Sequence, residues 1–593
     1  MPEIKRERLE KLLAQLKSER SSFEPAWRDV GDYILPRRPR WQVSDVNRGD
    51  RRNQKIIDST ATMAARTLRA GMMGGLTSPA RPWFRLTTSD PELAEYEPVK
   101  FWLDDVTRIK QAAFLRSNLY NALPLIYGDM GNFATSAMLV EEDFDDVMRF
   151  YSFPIGSYYV ANNARLKVDV FAREFRLTVR QVLQKFGIKN EAGKITDWSN
   201  ISGYVKRCYD NSDYENWVDL CHVIQPNSDY DKKVPTSKRK RYASCYYERG
   251  TGAMTGGSGN YMSRDEDKYL SESGYDLFPV LCARWEVTGE DSYGTGCPGF
   301  DTIGDVKALQ LMHKRKSQAI EKMVNPPMVG PSSLRNQKSS ILPGDLTYVD
   351  AREGMQGFRP AHEVQPRVQE LLLDIQDHQQ RIRRGWYEDL FLLTSMSDRR
   401  DITAREIEER HEEKLVALGP TLEQTNQDLL DPLIDHAFEI MLKRGDIPEP
   451  PPELQGQALK VEYVSIMAQA QKALGLASLE RFTGFVSNLA AQTKDPRVLR
   501  KVDWDQLVDE YGLASGVAPR VIRSDEDVEA MAQAEEQAAS AAAGVETVKT
   551  AADAAKSLAG ADMGGDNALT RLIGQGEAGS LIRNSGRPAP AGA

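Results

Sequence analysis

The sequence predicts a mixed α+β fold that is mainly helical. Three observations carry this. Apolar residues recur three and four apart over long stretches at both ends of the chain, the middle consists of short runs between turn residues, and Pro/Gly clusters separate the two patterns. At 593 residues the chain exceeds what one core organises, so several sub-domains are expected.

The elements follow in order. Leu9, Leu12, Leu13 and Leu16 mark a helix over 4–34, stopped by Pro36. In DSTATMAARTLRAGMMGGLTSPARPWFRL, Asp58 to Leu86, a helix ends at Gly74 and Gly75, and a Pro-punctuated turn delivers Trp83 and Phe84 into an extended segment. A further helix covers about 98–130. From 147 to 290 the period shortens, in runs such as VMRFYSFP, KVDVFAREF, WVDLCHVIQP, RYASCYYERG and FPVLCARWEV, and this part is strand-rich. A helix over 300–324 ends at NPPMVGP, and a Pro/Gly/Ser-rich insert reaches to about 363.

The next helix, 364–388, carries the stripe Val368, Leu371, Leu372, Ile375, Ile382 and Trp386, and its other faces are strongly polar. A small polar loop, 389–402, follows it. Thr403 and Glu406 have capping-box spacing and open a helix to about Leu418. Leu429, Leu430, Leu433, Ile434, Ala437, Ile440 and Met441 mark its continuation, ended by GDIPEPPPEL. A last helical region spans about 460–530, before an Ala/Gly/Ser-rich tail.

Composition excludes several classes. Hydrophobic residues at 41% and charged residues at 27% are ordinary globular values. No apolar run approaches the ~18 to 20 residues of a membrane helix. MPEIKRERLEKLLAQLKSER lacks a signal-peptide core, so the chain is expected in the cytoplasm where it is made. Cys208, Cys221, Cys245, Cys282 and Cys297 are odd in number and irregularly spaced, which reads as reduced thiols. A net charge of −9 argues against tight nucleic-acid binding, though not against DNA passing without being held.

A search for catalytic chemistry returns little. Gly294, Gly296 and Gly299 have G-x-G-x-x-G spacing, which cradles a pyrophosphate only where it joins strand directly to helix. Here several polar or turn residues precede it and Pro298 sits inside it, against nucleotide binding. GTGAMTGGSG, 250–259, lacks the Gly-Lys-Ser/Thr of a P-loop and reads as a hairpin tip. His411 stands beside Glu412 and Glu413 without a second histidine four residues on, so a solvated helix face is the plainer account. No catalytic residue, metal site or cofactor is expected. The basic clusters HKRK (313–316), RIRR (381–384) and Arg399–Arg400 are ordinarily solvated faces, but all three flank the Pro/Gly-rich insert and so suit one shared surface.

At this point the sequence resembles the portal, or head-to-tail connector, proteins of short-tailed bacteriophages over about 20–530. The stretch Asp58–Leu86 carries the resemblance, with SNLYNALPLIYGDMGNFATSAMLVEED, PVLCARWEVTGEDSYGTGCPGFDTIGDVKALQ and DITAREIEERHEEKLVALGP, in the family's order. One departure is GNFATSAML, where Ala134 replaces the glycine that many relatives carry before the threonine.

The resemblance implies a cone-shaped ring, usually of twelve subunits, at one capsid vertex, with double-stranded DNA threading its channel non-specifically. It implies a wing over 1–299, stem helices over 300–324 and 364–388, a clip over 325–363 and a tunnel loop over 389–402. A long helix over 403–455 would return to the wing and to a crown over 456–530, with a tail over 531–593 that is barrel-like or disordered. Tunnel candidates are Ser395, Ser397, Arg399, Arg400, Lys314, Arg315, Lys316, Arg381, Arg383 and Arg384. Clip candidates for docking are Asn325, Pro326, Pro327, Arg335, Lys338 and Arg352. The implied partners are further copies of the chain, the major capsid protein, a scaffolding protein, the terminase large subunit and tail adaptors, with no membrane. The implied place is the portal vertex of the virion, after assembly in the host bacterial cytoplasm. Non-channel adaptor or scaffold, and less so packaging nuclease or ATPase subunit, are the competing readings.

Overall fold

The computed structural model describes residues 6–249, 269–324, 367–393 and 418–464 with few gaps, and parts of 326–360 and 481–538. Residues 502–513 and 517–593 form a second compact unit, to which most of the helix Trp504–Ser515 belongs. The main unit covers 1–501 and 514–516.

Its N-terminal helices are α1 (Arg6–Arg20), α2 (Glu24–Tyr33), α3 (Thr60–Leu76), α4 (Glu97–Arg116) and α5 (Leu119–Phe133). The single helix expected over 4–34 is therefore two. Pro25 stands in the first turn of α2, where its ring is tolerated; in a continuous helix it would clash with the preceding turn. The helix expected over 98–130 is also two. Asn118, at the break, gives its side chain to a strand instead: Nδ2 donates to Phe150 O at 2.8 Å and Oδ1 accepts from Phe150 N at 2.8 Å.

The strands are β1 (Phe84–Thr88), β2 (Thr135–Asp143), β3 (Val147–Phe153), β4 (Tyr158–Asn162), β5 (Val168–Thr178), β6 (Ile188–Lys189) and β7 (Ile195–Asp197). After them come β8 (Trp217–Pro226), β9 (Tyr242–Glu248), β10 (Ser271–Tyr275), β11 (Val280–Arg284), β12 (Met328–Val329), β13 (Arg359–Pro360) and β14 (Leu459–Tyr463). The strand-rich part begins at Thr135, earlier than the expected 147, and two short helices interrupt it. These are α6 (Val179–Phe186), capped by Thr178, and α7 (Gly203–Asp210), capped by Ser202.

Strands β10-β9-β8-β5-β4 make one antiparallel sheet and β11-β2-β3 another. Period-two alternation divides the larger sheet's faces. Ala172, Cys221, Val223, Cys245 and Tyr247 pack on Leu9, Leu13 and Leu16 of α1, whereas Phe171 and Ile224 face the main core. All five cysteines are buried and unpaired. β1 pairs antiparallel with β14 across more than 370 residues of chain, Phe84 opposite Tyr463. This corrects the helix expected from 460, because Leu459, Val461 and Tyr463 alternate as a strand does.

The later helices are α8 (Ile303–Val324), α9 (Val368–Gly385), α10 (Glu388–Leu393) and α11 (Asp431–Arg444). Residues 418–425 are helical and pass through a π turn, Asn426–Leu430, into α11. The polar loop expected from 389 thus starts as helix. Thr403, Glu406, His411 and the glycine-rich 250–259 lie outside the described residues.

Helix α5 is the hub. From Ile126 to Phe133 every residue is buried, so its C-terminal carbonyls cannot reach water and must find protein donors. Trp27 Nε1 donates to Phe133 O at 3.2 Å, Cys297 Sγ to Asn132 O at 3.4 Å and Trp285 N to Ala134 O at 3.0 Å. Ala134 itself is left-handed, at φ +59°, a conformation that favours glycine. The chain keeps the glycine geometry with an alanine.

The spacing Gly294, Gly296 and Gly299 has its explanation here. A Cβ on Gly294 would lie 2.1 Å from Ala134 O, and one on Gly299 2.3 Å from Asn132 O. These glycines admit backbone against the end of α5; they do not cradle a phosphate. Gly294→Ala is accordingly expected to cost about 3 kcal/mol or more, read as a lowered denaturant midpoint.

Lys110 of α4 is buried between Phe84 and Phe438, its Nζ 5.8 and 5.2 Å from the ring centres and without a hydrogen-bond partner. Desolvation pulls its pKa from 10.5 to about 7, against a smaller opposing pull from Asp435. The unfolded chain then binds the extra proton between those values, so stability rises with pH from about 7 to about 10.5. Lys110→Met is expected to raise the melting temperature at pH 6 and to flatten that rise.

Candidate stem and channel surface

At ~1.5 Å per residue, α8 and α9 are about 33 and 27 Å long, and they pack together as a hairpin. The lower part belongs to the core: Val306, Leu309, Ile375, Ile382 and Trp386 are all buried. The stripe read on α9 therefore divides. Its C-terminal part packs inside its own chain, while Leu372 stays 38% exposed.

A polar clasp joins this hairpin to the segment before α3. The Gln310 side chain accepts from Ile57 N at 2.6 Å and Asp58 N at 2.8 Å, and donates to Asp58 O at 2.9 Å. Gln379 Nε2 donates to Asp58 Oδ2 at 3.0 Å, and His313 Nε2 lies 3.3 Å from the same oxygen. Between the two helices, His378 Nδ1 and Asp305 Oδ1 are 2.8 Å apart. Trp386 Nε1 donates to Thr302 Oγ1 at 3.0 Å, closing the base. Gln310, Gln379 and His378 carry no signal in the sequence, because no spacing links positions 58, 310 and 379, and His313 is legible there only as part of the basic HKRK cluster.

The predicted basic residues divide by what they already hold. Arg381 is engaged by Asp377 at 2.5 Å and Asp305 at 3.6 Å, and Arg383 by Glu388 at 3.5 Å. Lys314, Arg315, Lys316 and Arg384 have no ion-pair partner among the described residues. The clusters also sit at different levels. Asp305 meets His378 and Arg381, so Lys314–Lys316 lie roughly 15 Å further along the hairpin.

The root of the polar loop is anchored. Leu390 is buried, and the ring of Phe391 fills the space over Gly71 of α3, where a Cβ would come within 2.0 Å of it. Ser395, Ser397, Arg399 and Arg400 lie outside the described residues, as do Asn325, Pro327, Arg335, Lys338 and Arg352. Pro326 is half-buried. The insert's two ends meet: β12 and β13 pair antiparallel, Val329 opposite Arg359.

The described residues contain no group of three or more His, Cys, Asp or Glu placed to hold a metal, and no helix long and apolar enough to cross a membrane. What the geometry defines is a helical hairpin on a mixed α+β body, with a pair of short strands joining the two ends of the insert.

Residues 6–522 match the family model described as bacteriophage head to tail connecting protein, and the chain belongs to that family. Its function is that of a portal, a structural component of the virion at the capsid vertex and not an enzyme. A portal protein of Salmonella phage epsilon15 is 47% identical over 572 residues, 96% of this chain and 98% of its own length. A probable portal protein of Bordetella phage BPP-1 is 40% identical over 556 residues, 94% of this chain and 96% of its own.

The clasp generates a prediction. Gln310→Ala removes three hydrogen bonds and leaves the part-buried amides of 57 and 58 without their protein acceptor, at an expected cost of about 1 kcal/mol. Hydrogen exchange should speed up at Ile57 and Asp58 and remain slow in α5.

Proposed function

We propose that twelve copies of this chain close into a ring at one capsid vertex, with the α8–α9 hairpins as its stem around a channel for double-stranded DNA. The observation that carries this is the hairpin's exposed apolar surface. Beside the clasp Leu311, and beyond it Ile320, Met323 and Leu373, are 43 to 67% exposed, which suits a face covered by neighbouring copies. A helix pair with so little cover has weak reason to hold together alone in water.

In this reading the insert 325–363 is the clip, where the terminase large subunit docks during packaging and tail adaptors dock afterwards. The antiparallel closure of β12 on β13 supports it, since a module pinched at its neck changes without disturbing the helices that bear it. The wing spans 1–299 and the crown 456–530; major capsid protein and scaffolding protein meet the body during assembly in the host cytoplasm. Force for translocation comes from a separate ATPase.

Acidity fits transport. Twelve copies carry a formal charge of about −108, so the duplex meets repulsion over most of the ring and only scattered positive contacts. Neutralising many phosphates would hold the DNA and slow both packaging and ejection. Lys314, Arg315, Lys316 and Arg384 are the stem's candidates for such contacts, and Ser395, Ser397, Arg399 and Arg400 those of the tunnel loop.

Negative-stain imaging and native mass measurement test the ring. A central hole and twelve-fold mass are expected, and a persistent monomer under assembly conditions would sink the reading. For the loop, Arg399→Ala with Arg400→Ala is expected to leave ring melting unchanged and to alter DNA retention in particles, because weak contacts multiply around one duplex. Reduced melting with normal retention would instead place both arginines in pairs with the following helix, at ~0.2 to 1 kcal/mol each.

A further inference from the structure

The tip between β2 and β3 is the sequence EEDFDD, residues 141–146, and Phe144 at its centre is 91% exposed, the highest value among the exposed large hydrophobic side chains described. Around it the carboxylates fall into two groups. Glu141 is held by Lys185 at 3.6 Å, and Asp143 and Asp146 lie 4.0 and 3.7 Å from Arg149. Glu142 and Asp145 are exposed and have no ion-pair partner among the described residues. A bare phenyl ring between two unpaired carboxylates is costly on a free surface and has the form of an anchor.

At the other end of β3 lies a cleft of about 220 Å³ lined by Arg40, Trp41, Val43, Phe153, Tyr159 and Arg173, with Val46 41% exposed at its rim. A cavity of ~150 Å³ holds a benzene, so this one has room for a phenyl ring with its methylene. Its net charge is opposite to the tip's, since the one carboxylate in its lining, Glu174, is already held by Lys17 at 2.9 Å and by Arg249. Arg40 gives its Nη1 only to the backbone oxygens of Arg37 and Pro39, and Arg173 stacks on Phe153 and Phe175 at 4.5 and 4.2 Å. Neither arginine has a carboxylate within ion-pair distance among the described residues.

We infer that the Phe144 tip of one copy inserts into the Arg40–Arg173 cleft of the next copy around the ring, the phenyl ring among Trp41, Val43 and Phe153, and Glu142 and Asp145 beside the arginines. The inference rests on the ring proposed above. Insertion within one copy is excluded by distance: the seven residues of β3 hold tip and cleft roughly 20 Å apart along a rigid strand. Knob and socket at opposite ends of one hairpin make a head-to-tail contact, the kind that closes rings, and not the self-matching contact of a twofold dimer.

The test places the photo-crosslinking residue p-benzoylphenylalanine at 144 in the full-length chain, irradiates assembled material, and maps the joined peptides by mass spectrometry. Cross-links between copies, from the tip to 40–46 or 153–159, are expected. Rings whose cross-links map elsewhere, or only within one copy, overturn this contact and leave the ring standing. Failure of the unmodified chain to form rings at all overturns both. Phe144→Ala, at an exposed position that folding does not need, is expected to raise the concentration at half assembly about tenfold or more. Glu142→Arg with Asp145→Arg should weaken assembly further, and Arg40→Glu should restore part of it. Equal assembly of all these variants would refute the charge match.

Discussion

The structure depends on one constraint: a helix buried almost all round must end inside protein. The carbonyls at the C-terminus of α5 have no water to accept from, so three distant segments supply donors, through Trp27, Trp285 and Cys297. Each donor brings its own element with it. Trp27 fixes α2, Trp285 follows β11, and Cys297 begins the turn that leads into α8. The left-handed Ala134 then turns the chain into β2, and Gly294 and Gly299 let backbone approach where any side chain would collide. The Arg38 guanidinium, bound to Asp129 of α5 at 2.5 and 2.7 Å, ties the same helix to the segment after α2.

The α8–α9 hairpin inherits its orientation from this arrangement. Helix α8 starts one turn after the glycines that abut α5, and Trp386 of α9 returns to Thr302 at that same base. Asp58 and Gln310 add a second point of attachment, so the hairpin is fixed at two places and projects beyond them. Forces on the hairpin therefore reach the hub of the body directly. For the proposed role between motor, genome and tail, such a joint suits transmission better than a flexible tether.

Charge is arranged by the same logic of exposure. Buried cations are either satisfied, as Arg284 is by Asp428 at 2.9 Å, or held close to neutrality, as Lys110 is by its apolar surroundings. At the hairpin surface, Arg381 is quenched by its own helix, while Lys314 to Lys316 have no ion-pair partner among the described residues. Two basic clusters that look equivalent as text thus differ in what they can offer a phosphate. In the proposed ring, the stem's positive contacts fall in separated tiers.

Local patterns made much of this legible. The leucines of α1 and the Pro/Gly boundaries of α8 act within a few residues of themselves, which is why their elements stand out in the sequence, whereas the short helices capped by Thr178 and Ser202 are lost among the strand runs around them. The family likewise rests on long ordered stretches of residues. Tertiary structure alone decided the rest. Pro25 and Asn118 split helices that periodicity ran together, because apolar spacing continues across a break whose cause is steric or lies in a partner strand. β14 became a strand because Phe84–Thr88 offered it an edge, a partner more than 370 residues away in the chain. The glycines at 294 and 299 spell a phosphate-binding pattern, yet their work is close packing against α5, and only the neighbouring backbone distinguishes the two. Interactions between near neighbours leave a periodic trace in the sequence; contacts between distant segments leave none, since their partners are set by the path of the chain.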